Sequence, residues 1–249
     1  DGALIGAADP RREGVALGVL PAGTGNDFAR NLGLSFSNPE AAVRALAGGA
    51  ERSVDIGVVR TPSAPVPIGR DAAAAPPLGP ARPRHFLNVI GIGFDVSVID
   101  AAASARFLKG EALYKITALQ QLFRFPGAAL RASDEAGFAR DATYLMVTVS
   151  NGAFFGGGFP IAPNGRIDDG LLHGCFIGDA SPLARLKLFN LAEKGRHVGD
   201  ERVLIHSAPR LRFEADAPIR FEADGDVFRT EGARLELEVL PGALTLVGG

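Results

Sequence analysis

The chain of 249 residues carries a single cysteine, Cys175. No intrachain disulfide can form, and a zinc site built on several cysteines is excluded. The expected setting is a reducing compartment, most simply the cytoplasm. A charge surplus is missing too. Lys and Arg number 26 against 28 Asp and Glu, for a formal net charge of −2. Phosphate contact needs a basic surplus or a basic face, so composition gives no ground for a nucleic-acid partner. No uninterrupted apolar run approaches the roughly 18–20 residues of a membrane span. The opening DGALIGAADPRREG lacks the charged and apolar regions of a signal peptide. His85, His173, His197 and His206 are scattered, with no i,i+4 pair and no His-Glu-x-x-His, which argues against a histidine metal site. No Gly-x-Ser-x-Gly elbow supports a hydrolase triad. Cys175 lies in an apolar strand pattern and reads as core, not as a nucleophile. An initiator Met is also lacking. DGALIGAA reads as the end of a helix already under way, so the expectation is an N-terminal truncation.

What is present describes a folded protein of one large or two small domains, with a 47% hydrophobic and 22% charged composition. Ala16–Leu20 reads as a buried strand stopped by Pro21. PAGTGND follows as a loop, and residues 27–33 as a short helix ended by Gly33. Asn38 and Pro39 open a second helix, which runs to Gly48-Gly49. SVDIGVVR (53–60) is a strand, and this alternation implies an α/β layer. Residues 61–84 hold seven prolines and few large apolar groups. They read as a mobile surface insertion or a linker. Beyond them strands are expected at 86–93, 142–150, 171–177, 202–206, 210–214, 218–223, 234–240 and 243–247, with helices at 110–124 and 182–194. Strands so closely spaced suggest an antiparallel sandwich or barrel-like sheet. Helix 110–124 carries Leu113, Ile116, Leu119, Leu122 and Phe123. Core packing accounts for that pattern, with a membrane surface as the alternative.

LGVLPAGTGNDFAR (17–30) is the most informative segment. Gly23 and Gly25 can take positive φ and let backbone amides approach an anion. Thr24 adds a hydroxyl, and the helix directs its positive end at the same spot. Asn26 is a fitting N-cap, and Asp27 sits in the first turn, where a carboxylate is favourable. The loop is a phosphate-binding candidate. It is neither a Walker A loop nor the dinucleotide fingerprint, and an ordinary strand-to-helix turn is the plain alternative. Asp168-Asp169-Gly170 offers adjacent carboxylates and free carbonyls that suit a hard cation such as Mg²⁺, or forms a simple Asp-Gly turn. Asp224-Gly225, between β segments, is the commonest short hairpin signal. Gly156-Gly157-Gly158 permits close approach of backbone or ligand, or a structural bend.

These segments together resemble the diacylglycerol kinase catalytic family, which includes bacterial lipid kinases and sphingosine kinases and is related in fold to NAD kinases. The resemblance rests on Pro21, Gly23, Thr24, Asn26, Asp27, Phe28, Ala29 and Arg30. It continues through VDIGVV, FLNVIGIGFDVSV (86–98), VSNGAFFGGGFPIAPNGRIDDGLL (149–172), FEADGDVF (221–228) and VLPGALTLV (239–247). Two departures stand out. The family's Gly-Gly-Asp-Gly-Thr loop is absent upstream, and its Asp-Gly-Glu motif reads Asp224-Gly225-Asp226 here.

The resemblance implies an α/β plus β fold of the NAD kinase/diacylglycerol kinase type. A partial nucleotide-binding domain would span 1–60, with the C-terminal strand 243–249 returning to it. Residues 61–84 would be an insertion, and 85–242 a β-sandwich domain for catalysis and lipid. The implied activity is transfer of the γ-phosphoryl of ATP to the hydroxyl of diacylglycerol or a related lipid. Asp224 would be the general base. Gly23, Thr24, Gly25, Asn26, Asp27 and Arg30 would serve the nucleotide, Asp27 through waters that reach its magnesium. A further Mg²⁺, mainly structural, would be held by Asp169 and the carbonyls of Arg166 and Leu171. The implied partners are a diacylglycerol-like lipid and the inner membrane face, contacted peripherally, and a homodimer is also allowed. The alternatives are a kinase of a soluble nucleotide, or a non-catalytic binding module, which the missing upstream loop favours.

Overall fold

The computed structural model describes residues 16–23, 25–61, 65–68, 83–104 and 111–248, with the side chains of 102–104 and 111–116 left aside. The elements run β1 (Ala16–Gly18), α1 (Asp27–Asn31), α2 (Pro39–Gly48), β2 (Glu51–Arg60), β3 (Val66–Pro67), β4 (Arg84–Phe86) and β5 (Val89–Gly93). They continue α3 (Phe94–Ser104), α4 (Glu111–Arg124), β6 (Ala128–Ser133), β7 (Ala139–Ser150), β8 (Phe154–Phe155), β9 (Phe159–Pro160) and β10 (Leu172–Gly178). The last are α5 (Pro182–Glu193), β11 (Val203–Ala208), β12 (Arg210–Glu214), β13 (Arg220–Ala223), β14 (Asp226–Arg229) and β15 (Arg234–Val247).

Thirteen strands form one curled sheet, ordered β3-β14-β13-β5-β7-β6-β12-β15-β2-β4, with β10 and β11 continuing from β7 and β1 set beside β15. The β1–β15 pair is parallel, and the other pairs are antiparallel. Period-two patterning explains the register. In β15, Leu235, Leu237 and Val239 are buried. The intervening Glu236 and Glu238 pair outward with Arg212 and Arg210 across the ladder. The buried face packs Phe86, Phe176, Phe213 and Phe221 inside the curl. The other face is covered by α3, α4 and α5 around Val98, Leu122, Cys175 and Leu188. A third core joins Val54, Ile56, Leu244 and Leu246 to Leu17, Val19, Phe28 and Leu32. The molecule therefore joins a small α/β part to a larger antiparallel β part.

Several elements differ from the sequence reading. The expected strand 86–93 breaks at Leu87-Asn88 into β4 and β5, because the amides of 87–89 serve the Asp224 carboxylate. Helix α3 starts directly at Phe94, and β6 and β14 were not expected. Residues 234–247 form one strand, not two, with a register shift between Leu240 and Leu244. Asn38 caps α2 as expected, accepting from the Ala41 amide at 3.1 Å. Much of the 61–84 insertion lies outside the described residues. Of the rest, Val66 and Pro67 pair with β14, and Arg84 begins the strand that pairs with β2.

Candidate active site

Asp224 and Gly225 form the two-residue loop between β13 and β14, with φ of 49° and 95°. Left-handed φ at both positions is what a tight hairpin of this kind demands, and Asp-Gly supplies it. The turn also presents a carboxylate. Oδ2 accepts the Leu87 amide at 2.7 Å, and Oδ1 accepts the Asn88 and Val89 amides at 3.0 Å each. The Asp224 amide in turn donates to the Val89 carbonyl at 3.1 Å. Burial raises the Asp224 pKa, while the three amides and the Arg84 charge oppose that rise. A carboxylate has about four acceptor directions. Three donors leave one free on Oδ2, enough to accept a substrate hydroxyl proton. Asp226, where the family motif has Glu, pairs with Arg84 at 2.8 Å, and Arg84 lies over the Phe228 ring.

The glycine-rich loop closes on itself. The Gly23 amide donates to Asn26 Oδ1 at 2.9 Å, and Asn26 Nδ2 returns to the Gly23 carbonyl. Asn26 holds the N-cap position with φ 53°, but its side chain makes no capping bond to the helix. That corrects the cap assignment. The φ expectation changes as well: Asn26 adopts the left-handed conformation here, and Gly25 does not. Thr24 lies outside the described residues. Gly25 passes beside Asp27 and Gly157, at distances where an added Cβ would make ordinary contact.

Asp27 Oδ2 accepts the Gly157 amide at 2.9 Å, whereas Oδ1 is buried without a hydrogen-bond partner. Burial raises the Asp27 pKa, opposed by the amides of Gly157 and Gly158 and by Arg30. Gly156, Gly157 and Gly158 carry φ of 63°, 89° and 114°, a run that only glycine adopts readily. A Cβ on Gly158 would lie 3.2 Å from the Arg30 guanidinium carbon. The glycine triplet is therefore both a bend and a seat for the α1 side chains. Arg30 is half-exposed, reaches the Gly25 carbonyl at 3.4 Å and pairs loosely with Asp27 Oδ1 at 3.9 Å.

Two asparagines that the sequence reading did not single out join loop and turn. Asn31 Oδ1 accepts the Ala153 amide at 2.9 Å, and its Nδ2 meets the Asp27 carbonyl at 3.2 Å and Asn88 Oδ1 at 3.5 Å. Asn88 Nδ2 donates to the Phe154 carbonyl at 3.0 Å. Since the Asn88 amide also holds Asp224, one hydrogen-bonded chain runs from the Asp27 carbonyl through Asn31 and Asn88 to the Asp224 carboxylate. Behind it, buried Asn151 donates to the carbonyls of Asp55 and Leu87 at 2.8 and 3.0 Å.

The 166–171 loop forms a neighbouring group. Asp168 is neutralised by Arg52 and Arg166 at 3.0 and 2.9 Å. Asp169 Oδ1 accepts the Leu171 amide at 3.1 Å. Asp169 Oδ2 and the Arg166 carbonyl both approach His173 Nε2, at 3.4 and 3.3 Å. The point both oxygens face is thus occupied by an imidazole nitrogen, which accounts for their convergence. Among the described residues no cluster of three or more His, Cys, Asp or Glu side chains could hold a metal, so carbonyls would have to complete the set. Asp55 anchors this loop, accepting the Gly170 amide at 2.7 Å and the Gly242 amide at 2.8 Å. Its signal in the sequence was an acid inside the apolar run SVDIGVV. The signal for Asn151 was an amide closing the apolar run of β7.

Comparison with known proteins identifies this arrangement. The model of the diacylglycerol kinase catalytic domain matches residues 2–59, and that of the YegS C-terminal NAD kinase beta sandwich-like domain matches residues 88–248. Fold and site thus define a protein of the lipid kinase class. A diacylglycerol kinase of Mycobacterium tuberculosis is 30% identical over 233 residues, covering 94% of this chain and 69% of the relative. A Xanthomonas euvesicatoria protein described as "probable lipid kinase YegS-like" is 30% identical over 265 residues, covering all of this chain and 79% of the relative. The crystal structure of a diacylglycerol kinase from Bacillus anthracis superposes with a TM-score of 0.61 at 18% identity, covering 94% of this chain and 67% of that one. The chain belongs to the diacylglycerol kinase family.

Proposed function

We propose that the protein transfers the γ-phosphoryl group of ATP to the hydroxyl of diacylglycerol or a related lipid. One observation carries this reading: the carboxylate of Asp224, clamped by three amides, shares a hydrogen-bonded network with the glycine-rich loop. Phosphoryl transfer needs an aligned nucleophile, an acceptor for its proton and compensation of phosphoryl charge. In our reading the loop amides and Arg30 hold the triphosphate. Oδ2 of Asp224 takes the lipid hydroxyl proton as the oxygen attacks the γ-phosphorus, the bond from that phosphorus to the β–γ bridging oxygen breaks, and ADP leaves.

Magnesium bound with the nucleotide supplies charge compensation, and the unpartnered Oδ1 of Asp27 supports a role for that side chain toward its hydration shell. A second, structural Mg²⁺ would sit on Asp169 with the carbonyls of Arg166 and Leu171. The lipid is met at a membrane surface. Leu119 and Phe123, exposed on α4, are the apolar side chains that would touch it. No helix among the described residues is long and apolar enough to cross a membrane. In this scheme residues 1–60 with the C-terminal strand form the nucleotide part, and 85–242 the lipid part.

Incubation of the full-length protein with ATP, Mg²⁺ and a mixed lipid extract, followed by mass spectrometry, tests the proposal. A new phosphomonoester on a neutral lipid is the expected product. Phosphorylation of NAD in a parallel incubation, with lipids unchanged, would overturn it.

A further inference from the structure

Glu222 stands two residues before Asp224, and its Oε2 accepts the amide of Gly225 at 2.7 Å. It is 2% exposed, and its other oxygen has no hydrogen-bond partner. Across the sheet Glu222 opposes Gly91, and Gly91 opposes Thr148. All three positions share the face covered by α3. A Cβ on Gly91 would collide with the carboxylate of Asp95, the second residue of α3, and would lie 3.1 Å from Glu222 Cγ. The missing side chain thus makes room for Asp95 between Glu222 and Thr148. Both Asp95 oxygens and the Thr148 hydroxyl are buried without partners as well.

Four unpartnered oxygens, two carboxyl groups and no countercharge cannot persist as two anions in a dry pocket. One proton resolves the whole set. We propose that Asp95 and Glu222 share a proton, and that this bridged pair is a positioning device for the Asp224–Gly225 turn. The shared proton closes the gap between the Asp95 carboxyl and Glu222 Oε1 above Gly91, and Gly225 donates to Oε2. The chain of bonds ends at the residue before which the proposed base stands, so the inference rests on the lipid kinase reading for its catalytic consequence.

Burial raises Asp95 to about 7 against the opposing amides of Val96 and Asp95 itself, and burial together with the Asp95 charge raises Glu222 well above its ordinary range. The proton belongs to the pair and not to either residue. Among the described residues, the charged and titratable groups around the pair are Asp224 and Asp226 on the turn and Arg84 of β4, bonded to Asp226. Asp100 of α3 and Arg220 of β13 are paired with each other at 2.7 Å. Cys175 opposes Thr148 on β10, and its thiol is pushed up to about 12 by burial.

The test uses the full-length protein as wild type, Glu222→Gln, Asp95→Asn and Glu222→Ala. A glutamine can accept from Gly225 and donate to Asp95, which fixes the bridged geometry without a titrating proton. Because the folded pair holds a proton that the unfolded chain releases above pH ~4, wild-type melting temperature should decline as pH rises from there through about 7. Glu222→Gln should flatten that decline. In turnover, the wild type should lose about tenfold per pH unit once the shared proton is gone. Glu222→Gln and Asp95→Asn should keep neutral turnover and lose the alkaline fall. Glu222→Ala should lower kcat and leave KM unchanged. Melting and turnover profiles of Glu222→Gln identical to wild type would overturn the proposal. If no variant phosphorylates any lipid, the functional reading fails, and the melting profiles alone decide on the shared proton.

Discussion

Replacing Asp224 by Asn is the sharpest probe of the proposed base, and the structure shows that the swap is not neutral. The asparagine Oδ1 can keep the amides of Asn88 and Val89. Its Nδ2 must then face the Leu87 amide, which in the native protein reaches Oδ2 at 2.7 Å. Two donors head-on leave a part-buried N–H without an acceptor, at about 1–3 kcal/mol. For a chain of this size each kcal/mol lowers the melting temperature by about 2–4 °C. The variant should therefore remain folded and melt a few degrees early. Loss of a general base lowers turnover by about 10²–10⁴-fold. Nucleotide affinity should hold, because neither Asp27 nor Arg30 bonds to Asp224 directly. Calorimetry with a non-hydrolysable ATP analogue, melting curves and a lipid phosphorylation assay together measure all three quantities. Turnover within about threefold of wild type, in a variant that binds nucleotide normally, would refute the base assignment.

Asp55→Ala strands the buried amide contacts of Gly170 and Gly242 and should cost about 2–5 kcal/mol in urea unfolding. An unchanged midpoint would show that water replaces the carboxylate without loss. Gly158→Ala forces a side chain into φ 114° and against Arg30, 3.2 Å away. Nucleotide affinity should weaken, and stability should fall by about 1–3 kcal/mol. Fully buried Cys175, its thiol raised to about 12, should resist a thiol reagent until the protein unfolds. Modification at the rate of a free thiol would contradict the packing of β10. On the acid side, turnover should decline through a pKa lying above the ordinary aspartate range, since burial raises Asp224. A profile flat down to the ordinary range would separate that carboxyl from the proton transfer.

Much of the site could be read from residue types alone, since chemistry concentrates where backbone must do something unusual. Asp224-Gly225 and the 156–158 triplet announce left-handed backbone, and both adopt it. Within the glycine-rich loop the expectation failed in its detail. The left-handed residue is Asn26, whose amide can bond back to Gly23 and stabilise a conformation most side chains avoid. Sequence periodicity could not reveal that Leu87 and Asn88 interrupt a strand, because the reason lies 136 residues away in a carboxylate that takes their amides. Asn31, Asn88 and Asn151 were missed for the same cause. A side-chain amide carries no periodicity, and its partners are main-chain atoms, which every residue has. Likewise β14 and the first half of β15 were hidden or split by Asp, Gly and Pro residues that serve as turn and register break within one continuous sheet.

The last strand, β15, serves two cores: one half lies against β12, and the other lies between β1 and β2. On the ribosome this has a kinetic meaning. Residues 16–18 leave the exit tunnel well before 245–247, the segment that holds their ladder partners. The layer that holds β1 must wait, unzipped, until residues 245–247 have been made, so this ladder closes late relative to its first strand.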